Sequence, residues 1–165
     1  MDEQNQQTQA PQPKSDIKGI AGQLEAMLDE YMVKKAPFAL PLGVKEFIVK
    51  VSPYLIIISA ILMLPVILAA IGISAILAPV ALVGGSTWGF SAIISLVVAV
   101  VVIIMELMAV PGLFKRSKKG WRLVFYASIV SLIGSILSIN GIIGGIIGAI
   151  IGWYILFQVK DMYKN

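Results

Sequence analysis

Two long stretches of this chain contain no charged residue. No Asp, Glu, Lys or Arg occurs from Val51 to Met105, and none occurs from Leu123 to Val159. A soluble domain cannot hide that much apolar helix, because its surface needs polar residues to meet water. A bilayer removes the difficulty, since each stretch of roughly 20 apolar residues can cross its core as a helix. The pattern therefore predicts an all-α integral membrane helical bundle.

Turn and start signals divide the apolar stretches into four predicted transmembrane helices. Ser52-Pro53 is typical of a helix start, whereas Gly84-Gly85-Ser86-Thr87 and Asn140-Gly141 are typical of tight turns. The second helix should end before Pro111. These signals place the spans at about 53–73, 88–110, 121–139 and 141–158, within a membrane domain of residues 53–159.

The first apolar run is too long for one straight crossing. From Tyr54 to Val83 it would measure about 45 Å as a helix, against a hydrocarbon core of ~30 Å. We therefore expect a kink at Pro65 and a separate apolar piece over residues 74–83. That piece either lies in the membrane interface or re-enters the bilayer.

The positions of Lys and Arg predict the orientation. They collect before the first span, after the fourth, and in a loop between the second and third that contains Lys115, Arg116, Lys118, Lys119 and Arg122. Lys and Arg are enriched in cytoplasmic loops. All three clusters lie on one side only if the number of spans is even. Both termini, including the tail of residues 160–165, are therefore expected in the cytoplasm.

The chain before the membrane domain has two parts. Residues 1–14 are Gln-rich and lack hydrophobic periodicity, which predicts a disordered tail. Residues 15–52 are expected to form cytoplasmic or juxtamembrane amphipathic helices, the first starting at Ser15. Spacings of three and four place one apolar stripe on that first helix: Ile17, Ile20, Leu24, Met27 and Tyr31. The stripe either packs on this protein or the membrane surface, or docks a partner protein or a second copy.

Small residues recur on one face of each of the last two spans. The third span carries Ser128, Ser131, Ser135 and Ser138, and the fourth carries Gly141, Gly144, Gly145, Gly148 and Gly152. In lipid, small residues let helices approach closely. We therefore expect a close antiparallel hairpin, of glycine-zipper type, between these spans. Self-association and the lining of a pore are the alternatives.

Apart from Arg122 at the start of the third span, Glu106 is the only Asp, Glu, Lys or Arg inside any predicted span. An intramembrane carboxylate is by default a candidate functional group. With the second span centred near Ala99, Glu106 would lie about 10 Å from the midplane, on the side of the basic loop. Snorkelling, or an ion pair with that loop or with Arg122, accounts for it there. A proton or cation site is the alternative.

Composition excludes the common catalytic types. The chain is 58% hydrophobic and 13% charged, and it has no Cys and no His. Hydrolysis through a His base and His-ligated metal sites are therefore ruled out. We expect no enzyme activity and no cofactor. Juxtamembrane lysines account for the net charge of +4 without a nucleic-acid partner.

Two segments, AVPGLFKRSKKGWRLVFYA and the closing GIIGAIIGWYILFQVKDMYK, resemble a small family of bacterial four-helix membrane proteins with no assigned activity. The resemblance implies a bacterial inner-membrane location and carries over no functional residue. Our functional hypothesis from the residues is a non-enzymatic scaffold or adaptor. It would bind a cytoplasmic protein, or a second copy, through the first helix or the basic loop. The alternative is a small oligomeric channel or transporter that uses Glu106 and the Gly and Ser faces.

Overall fold

A computed structural model of the chain describes residues 17–83, 87–138 and 141–165. Several predictions lie outside the described residues: the Gln-rich tail, the helix start at Ser15, and the turns at 84–86 and 139–140. The side chain of Ile17 is also not described. The described part of the chain is all-helical, with five α-helices and no strand. The predicted all-α class is therefore confirmed.

The helices follow one another with short connections. In chain order they are α1 (Ile17–Asp29, extended by a π-helical turn at Glu30–Lys34), α2 (Leu42–Val83), α3 (Thr87–Phe114), α4 (Lys118–Leu137) and α5 (Ile142–Gln158), and a 3₁₀ turn follows at Lys160–Met162. Each of α3, α4 and α5 packs on the helix before it, and the contact between α3 and α4 is the most extensive. The π-helical turn and α1 pack against α5, which closes the chain back on its own beginning.

Three helices are long and apolar enough to cross a membrane, and the qualifying stretches are Leu42–Leu77, Ser91–Phe114 and Lys118–Leu137. The fold buries only 6%, 11% and 28%, respectively, of an 18-residue apolar window in each. So much apolar surface without protein contact requires a lipid-like environment. The apolar helix α5 has 17 residues, which is near the lower limit for a crossing.

The start of α2 corrects one expectation, because the helix begins at Leu42 and passes through Pro53 without a break. Pro53 has no N–H, so it cannot bond to the carbonyl of Val49 one turn earlier. The Ser52 hydroxyl donates to that carbonyl at 3.3 Å instead. The Ser52 hydroxyl was expected to cap the start of a new helix, but it bonds inside α2 instead. The helix start predicted at Ser52-Pro53 is therefore wrong.

Residues 74–83 also differ from expectation. They continue α2 to Val83, with Pro65 and Pro79 inside the same helix. A separate interfacial or re-entrant piece is therefore not observed. The helix has 42 residues, or about 63 Å of length, roughly twice the hydrocarbon thickness. Part of α2 must therefore extend beyond any bilayer or lie at a steep tilt.

The best-buried core lies at one end of the bundle, beside the connection at residues 115–117, which we call the basic end. Trp121, Phe125 and Phe157 are each no more than 2% exposed. The Phe157 ring meets the other two edge-on, with centroid distances of 5.2 and 5.4 Å. The Trp121 indole N–H donates to the carbonyl of Leu156 at 2.8 Å. Aromatic packing with a satisfied indole thus joins α4 to α5.

At the basic end α3 and α4 approach each other at Gly112 and Gly120. A Cβ on Gly120 would lie 2.6 Å from the carbonyl carbon of Gly112 and 2.7 Å from the nitrogen of Leu113. Both atoms are backbone atoms that a side-chain rotation cannot move away. Ser117 caps the start of α4 by accepting a hydrogen bond from the Lys119 N–H at 3.2 Å. Glycine at both positions therefore allows this close hairpin.

The chain also ends at the basic end. The Lys118 N–H donates to the Asn165 carbonyl at 2.6 Å, and the Asn165 N–H donates to the Arg116 carbonyl at 3.3 Å. Tyr163 is 3% exposed, and its hydroxyl lies 3.4 Å from the Ser52 hydroxyl. The last residues therefore pack between α2 and the connection from α3 to α4.

Candidate functional site

One face of α1 rests on the core of the basic end. Leu24, Leu28, Met32 and Val33 pack against the buried cluster that includes Phe157. The first three recur every four residues, so they share a face of the helix. Leu24 belongs to the predicted stripe, which Leu28 and Met32 widen. Ile20, Met27 and Tyr31 of the stripe lie on a different edge of the helix.

Ion pairs fix the same contact. Lys160 Nζ lies 3.0 Å from Asp29 Oδ1 and 3.3 Å from Glu25 Oε1. Arg122 Nε lies 3.4 Å from the other oxygen of Glu25. The Glu25 side chain is 13% exposed, so water and salt screen it less than an ordinary surface carboxylate. Lys160 Nζ also lies 5.4 Å from the centre of the Trp121 ring, within range for a cation–π contact.

Gln158 holds the segment that joins α1 to α2. Its side chain is 1% exposed. Its Oε1 accepts from the Leu40 N–H at 3.3 Å, and its Nε2 donates to the Met32 carbonyl at 2.8 Å. The neighbouring Tyr154 hydroxyl donates to the carbonyl of Phe38. Gln158 is not among the residues predicted from the sequence, although it is an isolated amide at the end of a charge-free run.

The outer edge of α1 presents three residues of the predicted stripe. Ile20, Met27 and Tyr31 are 58%, 58% and 57% exposed, while Leu24 is half-buried. At 100° per residue these three side chains fall within about 40° of one another on the helix. We call them the outer stripe. The outer stripe is an apolar surface of α1, and the contacts of another face of α1 with the bundle hold the helix in place.

The predicted basic loop divides into two parts. Arg122 belongs to the contact with α1 through Glu25. Four other basic side chains are exposed at the same end of the bundle: Lys115, Arg116, Lys118 and Lys119. Arg116 has a positive φ of 49°, as the sharp connection from α3 to α4 requires. One residue of the predicted basic loop therefore binds α1, and the other four form an exposed basic surface at the same end of the bundle.

The Gly and Ser stripes are only partly in contact. A Cβ on Gly145 would overlap the Cβ of Ser135, and a Cβ on Gly141 would lie 3.9 Å from the Ser138 hydroxyl. Gly144, Gly148 and Gly152 have open space at the same position. The described parts of α4 and α5 thus pack closely near Gly141 and Gly145 and not along the remaining glycines.

The predicted serines mainly bond to their own helix. Ser135 donates to the Ser131 carbonyl at 3.0 Å, and Ser138 donates to the Ser135 carbonyl at 3.2 Å. Ser128 donates to the Phe125 carbonyl at 2.6 Å and accepts from the Trp153 indole at 2.7 Å. Only the last of these bonds joins α4 to α5.

Glu106 lies where two cavities meet. One, of about 280 Å³, lies between α3, α4 and α5 and is lined by Ser128, Ser131 and Ser135. The other, of about 740 Å³, lies between α2, α3 and α4. The serines that line the larger cavity are Ser59, Ser74, Ser95, Ser131, Ser135 and Ser138. A single carboxylate thus borders both open volumes.

The surroundings of Glu106 differ from those expected. The ion pairs among residues 17–83, 87–138 and 141–165 do not include it, and Arg122 pairs with Glu25 instead. The depth of Glu106 in a bilayer stays a prediction.

Comparison of the chain with protein-family models, with curated proteins and with solved structures finds no match. The resemblance to a bacterial membrane protein family, over the two segments given above and more loosely over the first two spans, stays a prediction. The geometry of this chain therefore carries its functional interpretation.

Proposed function

We propose that this chain is a non-enzymatic integral membrane protein that holds a cytoplasmic partner protein at the membrane. It would cross a bacterial inner membrane four times, with α5 as the fourth span. The observation that carries the proposal is the fixed position of α1, which is held on one side and apolar on its outer edge.

The arrangement at the basic end supports the topology. The π-helical turn after α1, the connection at residues 115–117 and the last residue all lie at this end of the bundle. With α2, α3 and α4 as spans, that arrangement supports α5 as a fourth crossing that returns to the basic end. Its 17 residues measure about 26 Å, close to the hydrocarbon thickness. Basic residues collect at this end, which favours the cytoplasmic side.

The contacts of α1 support the adaptor role. Lys160 and Gln158 fix its position, so the outer stripe is presented without a further ordering step. A preformed surface loses less conformational entropy on binding than a disordered segment. Exposed apolar side chains grouped on one helix edge are typical of helix-in-groove recognition, in which anchors recur at i, i+4 and i+7. Tyr31 is the strongest candidate anchor, because Tyr is enriched among residues that dominate binding energy.

The test compares three forms of the full chain purified in mild detergent. The first is the natural chain, the second carries Ile20→Ser, Met27→Ser and Tyr31→Ser, and the third is a matched control with Gly22→Ser and Ala26→Ser. Gly22 and Ala26 are exposed and lie at least about 100° around the helix from the outer stripe. Native mass spectrometry gives the stoichiometry of any associated protein. That protein is then purified and added back to each form.

We expect a stoichiometric partner with the natural chain and the control, and at least about tenfold weaker rebinding to the outer-stripe variant, equivalent to 1.4 kcal/mol. Equal rebinding to all three forms would contradict a role for the outer stripe. A partner-free homo-oligomer in all three would remove the adaptor proposal altogether.

A small oligomeric channel or transporter is the second candidate, and the position of Glu106 between the two cavities favours it. Reconstitution of the natural chain and of Glu106→Gln in liposomes, with a cation flux assay, tests this function. Flux that depends on Glu106 supports a transport path. Equal leakage from both proteoliposomes and from empty liposomes excludes it.

A further inference from the structure

We propose that the larger cavity binds a hydrophobic organic cation, with Glu106 as its counter-ion. Suitable ligands are quaternary phosphonium or ammonium ions and protonated amines with apolar substituents. The proposal depends on the cavity between α2, α3 and α4. It requires neither the adaptor function nor transport across the membrane.

The size and walls of the cavity fit a small organic molecule. Its volume of about 740 Å³ falls within the range of roughly 300–1,000 Å³ typical of small-molecule sites. The walls are predominantly aliphatic and come from three helices, with Met63, Ile67, Leu96, Val98 and Ile103 among the lining residues. Such walls favour apolar substituents over a hydrated ion.

The charge of the cavity favours a cation. Among the described residues that line it, Glu106 alone is ionisable, and a carboxylate among aliphatic side chains is costly unless it is paired. The attraction between opposite charges also strengthens as the surrounding dielectric constant falls. A cationic ligand would therefore gain both from contact with the walls and from pairing with Glu106.

A bare metal cation fits this cavity less well. Hard cations require about six or more oxygen ligands. The hydroxyls that line the cavity do not all converge on one point, since Ser59 and Ser74 are about 22 Å apart along α2. An organic cation needs only one counter-charge and apolar contact. The geometry therefore selects the organic cation over the metal ion.

The first test measures binding of tetraphenylphosphonium to the full chain in detergent micelles by equilibrium dialysis, with empty micelles as the blank. Tetraphenylborate has nearly the same shape and the opposite charge, so it separates charge recognition from apolar partitioning. We expect saturable binding of the phosphonium and none of the borate. Glu106→Gln keeps the shape of the side chain and should weaken phosphonium binding at least about tenfold.

A second pair of variants tests the cavity without changing Glu106. Ala70 lines the cavity, whereas its neighbour Ala69 is exposed and does not. Ala70→Phe should fill part of the volume and weaken phosphonium binding at least about fivefold, and Ala69→Phe should leave binding unchanged. Because this pair retains the carboxylate, it also tests the proposal if the Glu106 variant fails to fold.

Three results would overturn the proposal. Equal affinity of Glu106→Gln and the natural chain would show that the carboxylate takes no part. Equal saturable binding of the borate would indicate an apolar site without charge selection, such as one filled by lipid tails. Displacement of the phosphonium by millimolar sodium or potassium, with no displacement by choline at the same ionic strength, would identify a metal site instead.

Discussion

Gln158 shows how one side chain determines the position of a distant segment. It is the last residue of α5, and its amide meets the backbone of Met32 and Leu40 before α2. A buried amide with both ends bonded positions its partners more strictly than apolar contact does. The amide therefore joins the chain before α2 to the end of the bundle.

Gln158→Leu should loosen that segment. The substitution leaves the Leu40 N–H and the Met32 carbonyl without their partner, and an unsatisfied buried group costs about 1–3 kcal/mol. We expect a loss of about 2 kcal/mol in unfolding free energy and faster proteolytic cleavage between α1 and α2. Thermal unfolding in detergent and limited proteolysis measure the two effects. Gln23→Leu, on the exposed face of α1, is the control, and cleavage at the same rate in both variants would contradict the assignment.

Tyr163 predicts a dependence of stability on alkaline pH. Burial raises its pKa above the ordinary value of 10.0, while the Ser52 hydrogen bond and the Arg116 charge lower it by less. The folded state thus holds the phenol proton more tightly than the unfolded state. The resulting stabilisation is complete below pH 10 and is lost as the pH rises through the folded pKa.

Tyr163→Phe has no such proton, so its stability should fall less steeply than that of the natural chain above about pH 10. Melting temperatures of both forms across this range test the difference. Parallel curves would mean that the phenol titrates alike in the folded and unfolded states.

At the scale of single helices, charge-free runs predicted helical segments well but their boundaries less well. Pro53 normally signals a helix start, and here the Ser52 hydroxyl takes the place of the missing N–H. Whether a hydroxyl turns back to its own helix or caps a new one depends on surrounding contacts. One such contact is the buried Tyr163 beside Ser52, more than a hundred residues later in the chain. Sequence pattern alone does not report it.

The hairpin of α3 and α4 depends on glycine at its closest point. Gly120→Ala would place a Cβ 2.6 Å from the Gly112 carbonyl carbon, and crowding of this kind typically costs about 1–3 kcal/mol. Gly22→Ala on α1 meets open space and should stabilise the fold by up to about 1 kcal/mol through helix propensity. Melting temperatures of the two variants should therefore shift in opposite directions. Equal shifts would indicate that the close approach is absent in solution.

Reversing the charge of Lys160 should weaken the contact of α1 with the bundle. Lys160→Glu would place a carboxylate beside Glu25 and Asp29, where Lys160 now pairs. We expect hydrogen exchange of the α1 amides to increase about tenfold, which corresponds to 1.4 kcal/mol. Adding Glu25→Lys to the variant should restore part of the protection, and the exposed Lys164→Glu should change little. Unchanged exchange in Lys160→Glu would show that apolar packing alone holds α1.

At the scale of the whole molecule, composition predicted the all-α class but not how the helices pack together. The long stretches without charged residues were sufficient to predict helices that are apolar enough to cross a membrane. The basic end depends on pairs such as Gln158 with Leu40, which are 118 positions apart, and no local period reports such pairs. Glu106 is a further case in which sequence did not report a long-range pair. Arg122, one of the partners expected for Glu106, pairs with Glu25 of α1 instead.

The proposed four-span topology can be tested directly because the chain contains no cysteine. Lys119→Cys and Lys164→Cys place a thiol in the first turn of α4, beside the basic connection, and near the chain end. Ser86→Cys and Asn140→Cys place one between α2 and α3 and between α4 and α5. A membrane-impermeant maleimide added to intact cells should label only the variants at Ser86 and Asn140.

The variants at Lys119 and Lys164 should react only after the membrane is opened. These two must behave alike, because Asn165 bonds to the backbone of Arg116 and Lys118 at the same end of the bundle. If α5 lay on the surface instead, the thiol at Lys164 would be labelled together with that at Asn140. Such a result would leave three spans, place the chain end opposite the basic connection, and separate Lys160 from the α1 carboxylates that it contacts here.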